Sequence, residues 1–104
     1  MGLLSELFKS SNSITGSEVK ELINDNNTVI IDVRTKDEYR GYHIPGSINI
    51  PVDKINEDKV KKYKEKLIVV YCQSGARARN ASTKLEGWGF NVKNMGGVHK
   101  YPKN

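Results

Sequence analysis

Apolar residues along the chain are concentrated in short runs that predict strands. Val29 to Val33 reads VIIDV, and Leu67 to Tyr71 reads LIVVY. Continuous runs of this length, rich in β-branched residues, are typical of strands that are covered on both faces of a sheet. Residues 47–52, SINIPV, alternate apolar and polar positions and contain Pro51, which favours an edge strand. Residues 90–95, FNVKNM, predict a last short strand.

Between these strands the pattern changes to helical spacing. Thr15 with Glu18 and Thr35 with Glu38 form two potential capping boxes, in which each side chain satisfies a free N–H group at the start of a helix. Residues 53–63 and residues 77–88 have apolar positions that recur on one helical face. The chain therefore predicts helices that alternate with strands.

Alternation of strands and helices predicts an α/β fold with a mostly parallel sheet. Asp32 and Cys72 lie at the carboxyl ends of the two runs that predict buried strands. In open parallel sheets, chemistry gathers beyond the carboxyl ends of the strands. The pattern thus places the only cysteine of the chain at the position expected for a functional site.

Length and composition narrow the class of protein. With 104 residues, the chain is expected to form a single domain over residues 1–104, with an extension or short helix at residues 1–12. One cysteine excludes an internal disulfide and favours a reducing compartment, so we expect the cytoplasm. No apolar run approaches the roughly 20 residues of a membrane span, and the N-terminus does not resemble a secretory signal, so no membrane partner is expected.

The net charge of +5 comes largely from a cluster of lysines: Lys59, Lys61, Lys62, Lys64 and Lys66. A charge run of this kind is typical of a solvated helix face. Interleaved aromatic residues and clustered arginines are missing, so we expect no nucleic-acid partner. The positive field favours small anions instead. With a single cysteine and two histidines, no metal site is expected.

The segment from Cys72 to Arg77 joins a predicted strand to a predicted helix. Backbone N–H groups at a helix start have no partner inside the helix, and their partial positive charge attracts anions. Gly75 can adopt a positive φ, which lets the loop curl and point several N–H groups inward. Ser74 and Ala76 are small and leave this bowl open. The bowl and the charge of Arg77 are expected to favour the thiolate over the thiol.

Three segments resemble signatures of the rhodanese-domain sulfurtransferases. CQSGAR, residues 72–77, resembles the active-site loop C-x-x-G-x-R of that family. IIDVRTKDEYRGYHIPGSINIP, residues 30–51, resembles its first signature, and LEGWGFNVKNMGGVHKY, residues 85–101, resembles its closing segment. The resemblance covers a core of residues 14–101. It implies a three-layer α/β domain with a central, mostly parallel sheet of about five strands and helices on both faces.

The resemblance also implies an activity, the transfer of a sulfane sulfur. Cys72 would attack the outer sulfur of a donor such as thiosulfate, form a persulfide and release sulfite. A thiophilic acceptor, either cyanide or a thiol, including a protein thiol, would then take the sulfur. This double displacement needs no metal or organic cofactor. Residues expected to bind the substrate, chiefly through backbone N–H groups, are Gln73, Ser74, Gly75, Ala76 and Arg77.

Several charged and polar residues are expected to support the loop. Asp32 is expected to order loops or pair with an arginine rather than act as a base, and Arg34 is expected to pair with Glu38. Arg77 has two open roles, binding the sulfonate of the donor or bracing the loop through a carboxylate. His43 is expected to satisfy backbone groups, and His99 is a candidate for the pocket rim.

Two positions depart from the family pattern. Tyr42 shifts the glycine that usually precedes the histidine, and Tyr101 stands where tryptophan is common; both are interpreted as packing variations. The chain carries one rhodanese unit, so we expect a shallow and open pocket.

Three alternative functions remain open at this point. The protein could carry a persulfide for a dedicated protein partner. A phosphatase with a Cys-Arg loop would need a C-x-x-x-x-x-R ring, one residue longer than the segment from Cys72 to Arg77. The longer ring fits a tetrahedral phosphate, whereas the shorter ring suits a single sulfur atom better. A non-catalytic interaction module would not need the cysteine that is present here.

Overall fold

The computed structural model describes residues 12–103. The extension or short helix predicted at residues 1–12 lies outside these residues, except for residue 12. The elements are, in chain order, α1 Gly16–Leu22, β1 Thr28–Asp32, α2 Lys36–Gly41, β2 Ile48–Asn49, α3 Glu57–Val60, a 3₁₀ helix Lys61–Tyr63, β3 Leu67–Cys72, α4 Ala76–Gly87, β4 Asn91–Gly97 and a 3₁₀ helix Val98–Lys100.

The strands form one parallel sheet in the order β2-β1-β3-β4, within residues 12–103. The predicted α/β class and parallel sheet are therefore confirmed, with four strands rather than about five. Along the outer edge of β4 there is only an isolated bridge between Ser13 and Asn94. The Ile14 N–H donates to the Asn94 carbonyl at 3.1 Å, and no longer ladder forms at this edge in the described part of the chain.

Both predicted capping boxes are present. The Thr15 side chain accepts from the Glu18 N–H at the start of α1, and Thr35 does the same for Glu38 at the start of α2. In each box the glutamate side chain also accepts from the N–H of its threonine. These reciprocal bonds fix where each helix begins, which explains why the sequence pattern located both starts correctly.

Two predicted elements are shorter than expected. The edge strand expected over residues 47–52 is regular only at Ile48–Asn49. The Ile50 and Val52 N–H groups still donate to the Asp32 and Val33 carbonyls, and the chain turns at Pro51, whose carbonyl accepts from Lys54 at 2.8 Å. The helix expected over residues 53–63 begins only at Glu57, where Asn56 caps it, and continues as a 3₁₀ helix from Lys61.

The core lies on both faces of the sheet. One cluster packs α4 against the sheet through Ala78, Ala81 and Leu85, all fully buried, and Trp88 packs against it half-buried. The other cluster contains Val19 of α1. Helices thus cover both faces, as a parallel sheet requires. Among residues 12–103, no helix has the length and apolar content that a membrane span requires.

Candidate functional site

The carboxyl ends of the four described strands meet at one edge of the sheet. Asp32, Asn49, Cys72 and Gly97 are the last residues of β1, β2, β3 and β4. The sheet register places Cys72 beside Gly97. This edge therefore brings the predicted cysteine and Asp32 onto neighbouring strands.

Cys72 is buried, with 1% of its surface exposed, but its sulfur is hydrogen-bonded. Sγ accepts the Gly75 N–H at 2.9 Å and the Ala78 N–H at 3.3 Å. The sulfur is thus held by backbone amides rather than by hydrocarbon alone. Sequence reasoning predicted the Gly75 amide but missed that of Ala78, although N–H groups throughout the first helical turn have no intrahelical partner.

The loop has the conformation that its glycine predicts. Gly75 adopts φ +119° and precedes α4, which begins at Ala76. A Cβ on Gly75 would meet nothing within 4 Å, so the backbone angle rather than lack of space requires glycine here. Gln73, Ser74 and Ala76 are exposed at the rim of the loop. The five residues expected to bind the substrate follow Cys72 in one short segment, and of these five the hydrogen bonds to Sγ include the Gly75 N–H.

Arg77 pairs with Glu38 across the site. Its Nη1 and Nη2 lie 2.8 and 3.0 Å from the two carboxylate oxygens of Glu38, in the bidentate geometry that arginine favours. The Arg77 guanidinium, together with the Thr35 N–H, lowers the pKa of Glu38 to about 2, and the carboxylate in turn raises the pKa of Arg77. Of the two roles left open for Arg77, this contact fits the second, in which a carboxylate braces the loop.

A second ion pair lies at the end of β1. Arg34 donates through Nε to both oxygens of Asp32 and through Nη2 to Oδ2 at 2.7 Å, and both residues are buried. Bonding to Asp32 raises the pKa of Arg34. The predicted pair of Arg34 with Glu38 is therefore wrong. Arg34 pairs with Asp32, the last residue of β1, and Glu38 pairs with Arg77.

Arg34 also connects this pair to the cysteine loop. Its Nη1 donates to Oε1 of Gln73 at 3.0 Å, and its Nη2 donates to the Tyr42 carbonyl. Asn49 secures the same strand end by donating to the carbonyls of Asp32 and Arg34, each at 3.0 Å. The prediction that Asp32 pairs with an arginine is confirmed. The hydrogen bond from Arg34 to Gln73 could not be predicted, because no sequence pattern indicates it.

The two histidines occupy different surroundings. His43 stacks on Tyr39, and its Nδ1 lies 2.8 Å from the Tyr39 carbonyl, which agrees with the predicted backbone role. His99 is exposed beside the cysteine loop: a Cβ on Gly97 would lie 2.6 Å from the His99 ring and 2.7 Å from the Gln73 carbonyl. His99 thus lies near the loop, in the region for which it was a candidate.

Sequence reasoning also missed Tyr71, the buried residue before Cys72, whose hydroxyl anchors the segment around Ile44. Its hydroxyl accepts the Ile44 N–H at 3.0 Å and lies 3.1 Å from Oγ of Ser47. Burial raises the pKa of Tyr71 above its ordinary range. A tyrosine in an apolar strand gives no sequence signal of this partner, because the segment that it holds is remote along the chain.

Comparison with known proteins agrees with the geometry. The sequence model of the Rhodanese-like domain matches residues 15–103. The tRNA uridine(34) hydroxylase of Buchnera aphidicola subsp. Baizongia pistaciae (strain Bp) is 31% identical over 88% of this chain and 32% of its own length. The uncharacterized protein YibN of Escherichia coli (strain K12) is 34% identical over 86% of this chain and 68% of its own. This chain thus spans about a third of the hydroxylase relatives that it matches.

Solved structures give the same result. The BH2092 protein from Bacillus halodurans superposes with a TM-score of 0.79 and 35% identity, over 90% of this chain and 73% of that one. A structure described as rhodanese with anions from E. coli superposes with a TM-score of 0.66 and 31% identity, over 72% of this chain and 94% of that one. The strand order, the Cys72 loop and these matches together show that the chain belongs to the rhodanese-like domain family.

Proposed function

We propose that the protein is a sulfurtransferase that moves a sulfane sulfur from a donor such as thiosulfate to a thiophilic acceptor through a Cys72 persulfide. The observation that carries this proposal is the bonding of Cys72 Sγ, which accepts N–H groups from Gly75 and Ala78. Amides aimed at one sulfur stabilise an anion there without a counter-charge in contact.

The first displacement forms the persulfide. The Cys72 thiolate attacks the outer sulfur of thiosulfate, a new S–S bond forms, and the bond from that sulfur to the sulfonate sulfur breaks. Sulfite leaves with the electron pair of the broken bond, and the negative charge of the nucleophile passes to the added sulfur. The loop amides, with Gln73, Ser74 and Ala76 at the rim, are proposed to hold this anion.

The second displacement regenerates the free thiolate of Cys72. Cyanide or a thiolate attacks the outer sulfur, the S–S bond to Cys72 breaks, and the thiolate is regenerated. Sulfur, charge and electrons balance between donor and acceptor, so the proposal includes no metal or organic cofactor. Arg77 and Arg34 are proposed as positioning residues, since Arg77 is braced by Glu38 and Arg34 connects Asp32 to Gln73.

The geometry favours sulfur transfer over phosphate chemistry. Sγ is enclosed closely by two amides, and Cys72 is 1% exposed, which suits a single added sulfur better than a tetrahedral phosphate. Thiocyanate formation from thiosulfate and cyanide tests this directly, with aryl phosphate hydrolysis as the competing assay. Sulfur transfer predicts activity in the first assay alone. Activity only in the second would support the phosphatase, and activity in neither would leave the carrier or the interaction module.

A second candidate function is a persulfide carrier for a dedicated protein partner. Gln73 and Ser74 are exposed at the rim of the loop, within reach of a partner surface. Loading of Cys72 by a persulfidated protein, but slowly by thiosulfate, would favour this candidate.

The relatives named tRNA uridine(34) hydroxylase raise the question of RNA. This chain spans about a third of those proteins, so their substrate need not contact the corresponding part. We propose, as the composition predicts, that this chain acts on small sulfur-containing anions and thiols without a nucleic-acid or membrane partner, as a single domain in the cytoplasm. Saturable tRNA binding in a fluorescence anisotropy titration at physiological salt would contradict this.

A further inference from the structure

A cleft of about 460 Å³ opens at the same end of the molecule as the Cys72 loop. The described residues that line it are Tyr42, Val98, His99, Tyr101 and Lys103. Its volume lies within the range of about 300–1,000 Å³ that is typical of sites for small organic ligands. Thiosulfate and cyanide are much smaller than the cleft, so neither of them accounts for it.

Two walls of the cleft adjoin the residue that follows Cys72. Gly97 is the sheet partner of Cys72, and a Cβ on it would meet both the His99 ring at 2.6 Å and the Gln73 carbonyl at 2.7 Å, so the two groups flank the same glycine. On the other side, the guanidinium of Arg34 bonds both the Tyr42 carbonyl and Oε1 of Gln73. A ligand in the cleft therefore lies beside the exposed rim of the loop.

The chemistry of the walls specifies the ligand. Tyr42 is 53% exposed and is the only exposed large hydrophobic residue in the described part of the chain, whereas Tyr101, which also lines the cleft, is 7% exposed. Tyrosine rings that line a cleft favour a ligand with an apolar or aromatic group. Lys103 supplies a cation, and among residues 12–103 no carboxylate lines the cleft. This combination fits an organic anion rather than an organic cation.

We propose that this cleft, defined by Tyr42, Val98, His99, Tyr101 and Lys103, binds the acceptor of the sulfur. The inference rests on the sulfurtransferase function proposed above and names its acceptor class: an organic thiol that carries an apolar or aromatic body and a carboxylate. The thiolate of the acceptor attacks the outer sulfur of the Cys72 persulfide and forms a new S–S bond. The S–S bond to Cys72 breaks, and its electron pair stays on Sγ, so the organic product leaves as a persulfide anion.

The test measures the second displacement on protein that has been loaded with sulfur and checked by mass. Four thiols serve as acceptors: mercaptomethylbenzoate, which has both proposed features, benzyl mercaptan, which lacks the charge, mercaptoethanol, which lacks both, and cysteamine, which is cationic. Each thiol is titrated, and the concentration that gives half the maximal rate is expressed as the concentration of its thiolate, so that differences in thiol pKa do not enter the comparison. We expect the lowest value for mercaptomethylbenzoate and the highest for cysteamine.

Variants connect the preference to the cleft. Tyr42→Ala removes the ring but leaves the carbonyl that Arg34 contacts, and it should raise the half-saturating concentration of mercaptomethylbenzoate about five-fold. Lys103→Gln should raise it about three-fold and leave that of mercaptoethanol unchanged. Lys59→Gln, a matched loss of charge on α3, should behave as the wild type.

Each result bears on one proposal. Equal half-saturating concentrations for the four thiols, or a Tyr42→Ala protein that matches the wild type, would overturn the acceptor cleft while the sulfurtransferase stands. Absence of sulfur on Cys72 after incubation with every donor would refute the sulfurtransferase, and the acceptor assignment with it.

Discussion

At the scale of single residues, the account depends on how Cys72 is surrounded. The residue is buried, yet two N–H groups reach its sulfur. Burial alone makes a thiol inert and penalises an anion, whereas amide donors compensate for the lost water. One donor belongs to Gly75, whose φ of +119° sets its direction. One of the two hydrogen bonds to the sulfur therefore comes from a residue whose backbone angle favours glycine.

Gly75→Ala tests that angle. Nothing lies within 4 Å of the added Cβ, so the cost comes from the backbone conformation alone and should be about 1–3 kcal/mol in the free energy of unfolding. Gly87→Ala is the matched control, because it also meets nothing within 4 Å but lies in α4 without a positive φ. Urea unfolding should show Gly87→Ala to be neutral or slightly stabilising; equal effects of both changes would contradict the argument.

Glu38 gives a pH-dependent prediction. Its pKa is about 2 in the folded protein against an ordinary 4.5, because Arg77 bonds its carboxylate. The unfolded chain therefore binds the proton first as the pH falls, so the stabilisation is complete above about pH 4.5 and is lost towards pH 2. Glu38→Gln should flatten the fall of the free energy of unfolding across this range, measured by urea unfolding at a series of pH values.

The control for this prediction is Asp37→Asn on the same helix. The Asp37 carboxylate pairs with Arg40 but is 89% exposed, and an exposed ion pair contributes little. This variant should retain the wild-type dependence on pH. If Glu38→Gln and Asp37→Asn behave alike, the Arg77 pair has no special effect on stability.

At the scale of elements, the sequence predicts best where local bonds decide. Thr15 and Thr35 cap their helices with bonds that span a single turn, so their spacing alone identifies both starts. The partner of Arg34 could not be chosen in the same way, because Asp32 and Glu38 are both close in sequence and only the orientation of the strand end decides between them. Local rules therefore fix elements, but not the contacts between them.

The two capping boxes provide a matched pair of variants. Thr15→Ala and Thr35→Ala should each cost about 1 kcal/mol of stability, since each removes a helix cap. Only Thr35→Ala should also slow sulfur transfer, because Glu38 of that box holds Arg77 of the loop. Thermal unfolding and thiocyanate formation measure the two effects. A loss of activity in Thr15→Ala as large as that in Thr35→Ala would contradict this connection.

At the scale of the whole molecule, the parallel sheet explains why distant segments converge. Its register aligns the ends of β1, β3 and β4, so the loop after Cys72 lies beside Gly97 and near Asp32. Alternating strands and helices predicted this arrangement and the edge that carries the site. The residue pattern predicted four strands, and the resemblance to the family implied about five; in the described residues the edge of β4 carries an isolated bridge instead of a fifth strand, because strand count depends on tertiary pairing.

The most direct measurement of the central claim is the intact mass of the protein after incubation with thiosulfate and removal of the excess. The account predicts a gain of one sulfur on the wild type, reversed by cyanide, and no gain on a folded Cys72→Ser variant. An unchanged mass for the wild type, or an equal gain on Cys72→Ser, would contradict it.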